Sequence, residues 1–251
     1  QFTLLYPPKI IFGKGSMKEL PALIPTGSRI LLVTGRSFVG TDKSPELKKL
    51  LGGFHLEEWC GVSPEPRLNE VDAITAMGRE KNATAVVAVG GGSVMDAAKA
   101  AAMLIPKEGG CAEYFDGRRK ISSRGLFFAA LPTTSGTGAE ITANAVLTDP
   151  GTKIKKSIRS PLMVPDLALV DPLLTLGAPA ELTAASGLDA FTQAVESFTS
   201  ADANAASRAL ASRAAGIIFR SLERACLDGG DIAARTSMAE GSLLSAMAFS
   251  Q

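Results

Sequence analysis

Apolar runs and helical spacings take turns along the first 170 residues. A strand is expected over 29–34, where Ile30 to Val33 is unbroken apolar, and Gly35 ends it. Leu68, Val71, Ile74 and Met77 then recur three or four residues apart, the period of one helix face. Ala85 to Val89 predicts a second buried strand, Leu126 to Leu131 a third that is cut by Pro132, and Leu167 to Val170 a fourth closed by Asp171-Pro172. Runs that are apolar on both faces and separated by helical patterns predict a parallel sheet covered on both sides. From Pro179 onward the pattern changes to one rich in Ala, Leu, Ser and Glu, and three helices are expected, over 181–200, 204–227 and 232–251. The expected fold is α/β over 1–178 followed by an all-α domain over 179–251. The last helix meets no Gly, Pro or polar tail before Gln251.

Charge narrows the partners. Lys and Arg number 26 against 25 Asp and Glu, which gives no strong pull toward nucleic acid or an acidic membrane. The basic cluster Arg118-Arg119-Lys120 reads as solvated loop charge. Cys60, Cys111 and Cys226 are isolated and odd in number, which argues against a disulfide framework or a zinc knuckle. No charged-then-apolar leader is seen and no apolar run reaches the ~18 residues of a membrane span. A reduced, cytoplasmic protein is expected.

Two loops carry the candidate chemistry. Gly90, Gly91 and Gly92 follow the second strand directly and lead into a helix at Ser93. Absence of Cβ atoms lets a ligand approach the backbone, and the helix N-terminus attracts an anion, so the junction reads as a phosphate cradle. It is neither a P-loop nor the usual dinucleotide fingerprint, and a tight turn without a ligand is the competing reading. The second loop runs Pro132-Thr-Thr-Ser-Gly-Thr-Gly-Ala-Glu140, with hydroxyls for a ribose or phosphate beside Gly136 and Gly138. Its competing reading is a polar loop that caps a helix near Glu140.

These segments resemble a known family. Gly90-Gly-Gly-Ser-Val-Met-Asp96, the Thr-rich loop and Gly187-Leu-Asp-Ala-Phe-Thr-Gln-Ala-Val-Glu196 occur in the order and spacing of the iron-containing (group III) alcohol dehydrogenases. Pro8-Lys-Ile-Ile-Phe-Gly13 and Pro64-Glu-Pro66 are similar too. The resemblance implies a dehydroquinate synthase-like architecture, with an N-terminal dinucleotide-binding domain and a helical domain that holds iron or zinc. Two further family histidines would follow the segment that Met247 to Gln251 resembles, so the helical domain is expected to be incomplete, with apolar faces left for a partner to cover. It implies hydride transfer between NAD(P)H and a small alcohol or aldehyde, and a homodimer or higher homo-oligomer. By position, Gly91, Gly92 and Ser93 are expected to hold the pyrophosphate, and Thr133, Thr134, Asn144 and Lys155 the rest of the cofactor. For Lys155, a solvated place in the Lys153 to Lys156 stretch is the alternative.

Two departures matter. Relatives that prefer NAD carry an acidic residue after the first strand, where this chain has Gly35, Arg36 and Ser37. Without that carboxylate, and with a guanidinium and a hydroxyl in its place, NADP is favoured over NAD. Asp189 stands at the family's carboxylate metal ligand, but the position four residues on is Gln193 instead of histidine. An amide oxygen is a poor replacement for imidazole, and the chain's one histidine, His55, lies in the N-terminal part and reads as a surface or structural residue. The metal expectation thus rests on Asp189 and Gln193. A metal-independent enzyme resembling maleylacetate reductases, and a nucleotide-binding fragment without catalysis, are the alternatives.

Overall fold

The computed structural model describes residues 2–250. Its strands are β1 (Lys9–Phe12), β2 (Arg29–Thr34), β3 (His55–Cys60), β4 (Ala85–Gly90), β5 (Phe127–Pro132), β6 (Asn144–Thr148), β7 (Lys155–Arg159) and β8 (Leu167–Val170). The α-helices are α1 (Leu20–Leu23), α2 (Arg36–Val39), α3 (Lys43–Leu50), α4 (Leu68–Glu80), α5 (Gly92–Leu104), α6 (Cys111–Phe115), α7 (Ala180–Thr199), α8 (Ala205–Leu227) and α9 (Ile232–Phe249). Six strands form one sheet in the order β1-β8-β5-β4-β2-β3, with every pairing parallel.

Alternate residues of the central strands feed two cores. Leu31, Val33, Val86, Ala88, Phe128 and Ala130 meet α4 and α5 on one face. Ile30, Leu32, Val87, Val89, Leu131 and Leu169 meet Leu20, Phe38, Leu47 and Leu51 on the other. This is the doubly covered parallel sheet expected. Helix α5 is buried from Val94 through Leu104 because it lies between the sheet and β6, which with β7 forms an antiparallel hairpin.

Several elements differ from the sequence pattern. The third expected strand keeps Pro132, whose missing N–H is tolerated at the strand end, where it stands opposite Gly90. No helix follows the Thr-rich loop at Glu140; turns lead from there into β6. Strands β1 and β6 hold only three apolar residues each, and β3 and β7 mix charged with apolar residues, so a buried-strand pattern does not reveal them. The three late helices start and stop within two residues of expectation, and residue 251 lies outside the described residues.

The N-terminal segment is tied to the end of the sheet. The buried Asp171 carboxylate accepts the Gly15 N–H at 3.0 Å and the Met17 N–H at 3.1 Å. Helices α7, α8 and α9 pack on one another, and α9 also covers β8 through Leu243 and Ala246. Arg235 on α9 is buried and donates to Thr183 Oγ1 at 2.7 Å, the Ala178 carbonyl at 2.9 Å and the Gly229 carbonyl at 3.1 Å. Gly138 has φ +65° and its missing Cβ leaves room for Ala246, which brings α9 onto the Thr-rich loop. Leu188, Val195 and Phe198 on α7, with Phe219 and Leu227 on α8, are exposed apolar side chains. Among the described residues no helix is long and apolar enough to cross a membrane.

Candidate functional site

Strand order fixes where a ligand can sit. The chain leaves β2 toward β3 on one side and leaves β4 toward β5 on the other, so β2 and β4 are neighbours whose exits diverge. A crevice opens at such a switch point beyond the carboxyl ends of the strands. Here it is a cleft of about 610 Å³, floored by the loops after β4 and β5 and walled by the β6–β7 hairpin and α7.

Gly91 caps α5 with extended backbone, and the first N–H groups of the helix have no intrahelical acceptors. A Cβ on Gly92 would come within 2.8 Å of Thr137 Oγ1 and 2.9 Å of its Cγ2, so the close approach of the two loops requires glycine there. The Thr133 N–H donates to the Gly90 carbonyl at 2.9 Å, which locks the Thr-rich loop against the glycine turn. Gly91, Gly92, Ser93, Thr133, Thr134, Asn144 and Lys155 all line the cleft. Of the residues after β2, Ser37 lines it, whereas Gly35 is buried and Arg36 is exposed with its side chain over Gly61.

Below the cleft lies a buried charged group for which the sequence reading assigned no role. Lys99 Nζ donates to the carbonyls of Ala139 (2.6 Å), Thr142 (2.8 Å) and Asn144 (2.8 Å) and to Thr142 Oγ1 (3.3 Å). Burial lowers its pKa to about 8, opposed by Asp96 and Glu140, so it stays protonated at neutral pH. Asp96 accepts the Val146 N–H at 3.1 Å, and burial raises its pKa to about 6 against the pull of Lys99. Glu140 is fully buried and raised for the same reason. Two charges three residues apart on an otherwise Ala-rich helix were the available signal.

Asp189 and Gln193 reach the cleft from α7, one turn apart. Gln193 Nε2 donates to Asp189 Oδ2 at 3.1 Å, and Gln193 Oε1 is buried without a hydrogen-bond partner among the described residues. One carboxylate and one amide, bonded to each other, are too few donors for a tetrahedral or octahedral cation. No group of three or more His, Cys, Asp or Glu side chains converges among the described residues, and His55 is exposed at the start of β3, far along the chain from this helix. The described residues do not by themselves fit a metal centre.

A parallel sheet with a ligand crevice at its switch point, followed by a helical layer, defines an α/β nucleotide-binding architecture. Two family descriptions match the chain, "Iron-containing alcohol dehydrogenase" over residues 7–172 and "Fe-containing alcohol dehydrogenase family, C-terminal" over residues 183–251. The chain belongs to the iron-containing alcohol dehydrogenase family. It is 36% identical over 252 residues to long-chain-alcohol dehydrogenase 1 of Geobacillus thermodenitrificans, covering 98% of this chain and 63% of that protein. It is 37% identical over 228 residues to 1,3-propanediol dehydrogenase of Klebsiella pneumoniae, covering 89% of this chain and 58% of that protein. Sulfoacetaldehyde reductase from Bifidobacterium kashiwanohense, solved in complex with NAD+, superimposes with a TM-score of 0.95 at 33% identity, over 100% of this chain and 67% of that one. The chain thus spans 63% of the length of the first of these relatives.

Proposed function

We propose that the protein is an NAD(P)-dependent oxidoreductase acting on a small alcohol or the matching aldehyde. The observation that carries this is the shared cleft: Ser37, the Gly91 to Ser93 cradle, Thr133, Thr134, Asn144 and Lys155 line one continuous space with Asp189 and Gln193. A nicotinamide dinucleotide bound there supplies or accepts the hydride. The N–H groups at the start of α5 would bind the pyrophosphate, with the helix dipole favouring its charge. Thr133 and Thr134 offer hydroxyls from the loop that the Thr133 N–H ties to Gly90, and the backbone clamped by Lys99 keeps that loop and β6 at fixed spacing across the cleft. We read residues 1–178 as the dinucleotide-binding domain and 179–251 as a helical domain.

NADP is the favoured cofactor in this reading. No carboxylate stands at 35–37 to repel a 2′-phosphate, Ser37 faces the cleft, and the exposed Arg36 is within the same short helix. NADPH and NADH fluorescence titrations, followed by oxidation with an aldehyde panel, test both points. Turnover with binding supports the enzyme; binding without turnover makes the protein a nucleotide-binding module, and NADH binding as tight as NADPH removes the NADP preference.

The Gln193–Asp189 hydrogen bond favours a second reading, a metal-independent reductase of activated substrates resembling maleylacetate reductases. Metal analysis of the active protein separates the two: stoichiometric iron or zinc overturns the metal-independent reading. We place the protein in the cytoplasm as a homo-oligomer, in keeping with the free cysteines Cys60, Cys111 and Cys226 and with the exposed apolar side chains of α7 and α8.

A further inference from the structure

The hairpin of β6 and β7 lays one row of side chains along the length of the cleft. Its register sets Asn144 opposite Arg159, Val146 opposite Ser157 and Thr148 opposite Lys155. Alternate residues of a strand share a face, and Asn144, Val146, Lys155, Ser157 and Arg159 all line the cleft. Lys155 and Arg159 are four residues apart, roughly 13 Å along an extended strand.

The two cations are in different circumstances. Lys155 Nζ is held by Glu65 at 2.9 Å, at the end of the cleft where Ser37 and Pro66 lie. Arg159 makes no side-chain hydrogen bond or ion pair among the described residues. It lines both the cleft and an adjoining recess of about 320 Å³, together with Thr142, Asn144, Ser160 and Phe249. Phe249 in turn lies beside Glu196 and Ser197, on the same helix as Asp189 and Gln193. Arg159 is therefore at the end of the cleft that adjoins Phe249 and α7. Asp189, a carboxylate of α7 that lines the same cleft, has one oxygen engaged by Gln193.

We propose that Arg159 is a specificity-determining residue that selects substrates carrying an anionic group, a carboxylate or a sulfonate, a few bonds from the carbinol carbon. The proposal rests on the nucleotide reading above, which assigns the Ser37 end and the α5 cradle to the cofactor and leaves the Arg159 end to the substrate. A guanidinium presents two parallel N–H donors that match two oxygens of either anion. The recess behind Arg159 provides the room for that group, and Asn144 opposite it offers a neutral amide beside the same space.

The test begins with NADPH and NADP+ titrations of the chain, then measures by calorimetry the binding of 3-hydroxypropanoate, 2-hydroxyethanesulfonate and 1-propanol to the NADP+-loaded protein. Wild type, Arg159→Ala and Arg159→Lys are compared. Both anions are expected to bind more tightly than 1-propanol, and Arg159→Ala to lower that preference by about ten- to a hundredfold, the range for losing a charge-assisted hydrogen-bonded pair. Arg159→Lys retains part of the preference, since charge stays and the planar fork is lost. A stronger loss for one anion than the other identifies the group. Preference for 1-propanol, or an Arg159→Ala effect equal on charged and neutral ligands, overturns the proposal. So does a weakened NADP+ affinity in Arg159→Ala, which would assign the residue to the cofactor. Failure of the wild type to bind either nucleotide overturns the underlying reading itself and is seen before any substrate is added.

Discussion

Lys99 has three protons to donate and four oxygen acceptors around it, three of them the main-chain carbonyls of Ala139, Thr142 and Asn144, on the path from the Thr-rich loop into β6. Replacing it by Met fills the volume and leaves those carbonyls and the Asp96 carboxyl uncompensated. Lys99→Met is expected to lose about 3–5 kcal/mol, read as a lower urea midpoint. Asp96 gives a pH signature. Its folded pKa lies above its ordinary value of 3.8, so the proton is held more tightly in the native state, and its contribution is complete below that value and lost as pH rises through about 6. Asp96→Asn should remove a decline of roughly 3 kcal/mol between those limits, at 1.36 kcal/mol per unit of pKa, in denaturation curves collected from pH 4 to pH 7. Glu140, raised by the same burial, acts with the same sign and remains in the variant. At this scale the glycine turn, the threonines and Asp189 were legible, because their chemistry is local in the chain. Val146, Ser157 and Arg159 were not, because only the pairing register of a polar hairpin turns them toward the cleft.

Helix α8 shows how one residue sets an element's start. Asn204 Oδ1 accepts the N–H groups of Ala206 at 2.9 Å and Ser207 at 3.0 Å, and Ser207 Oγ accepts the Asn204 N–H at 2.9 Å. Asn204→Ala is expected to cost about 1 kcal/mol in chemical denaturation, the usual loss of an N-cap. Arg235 is the corresponding device for α9. Its three donors reach Gly229, Thr183 and Ala178, so Arg235→Met unpins α9 from the start of α7. Faster amide exchange in both helices, with the sheet unchanged, is the expected result. The central strands β2, β4, β5 and β8 were readable since burial on both faces makes them continuous apolar runs. Edge strands have no such need: β3 carries Glu57 and Glu58, and β1 opens on an exposed lysine. Hairpin strand β7, Lys-Lys-Ser-Ile-Arg, reads as loop because one face is wet and only Ile158 is buried.

For the whole molecule, the cleft joins the sheet to the helical layer, so nucleotide binding should stabilise both. NADP+ at a hundred times its dissociation constant is expected to add about 2.7 kcal/mol, measured as a higher melting temperature for helix and sheet signals together. A shift confined to one signal would mean that the ligand contacts one layer alone. The family assignment was legible in three separated motifs because each one sits at the cleft. What a sequence pattern does not display is how far apart in the chain the contacting pieces lie. Among the described residues strand β1 pairs solely with β8, about 160 residues later, and Asp171 fastens the loop after β1 to the same segment. Strand β1 therefore waits unpaired until β8 has been made. Until β8 arrives, β5 has a bare edge on the side away from β4, open to strands of other chains. Completion of the sheet thus depends on residues 133–170, and shielding of the β5 edge until they are made would limit aggregation of the nascent chain.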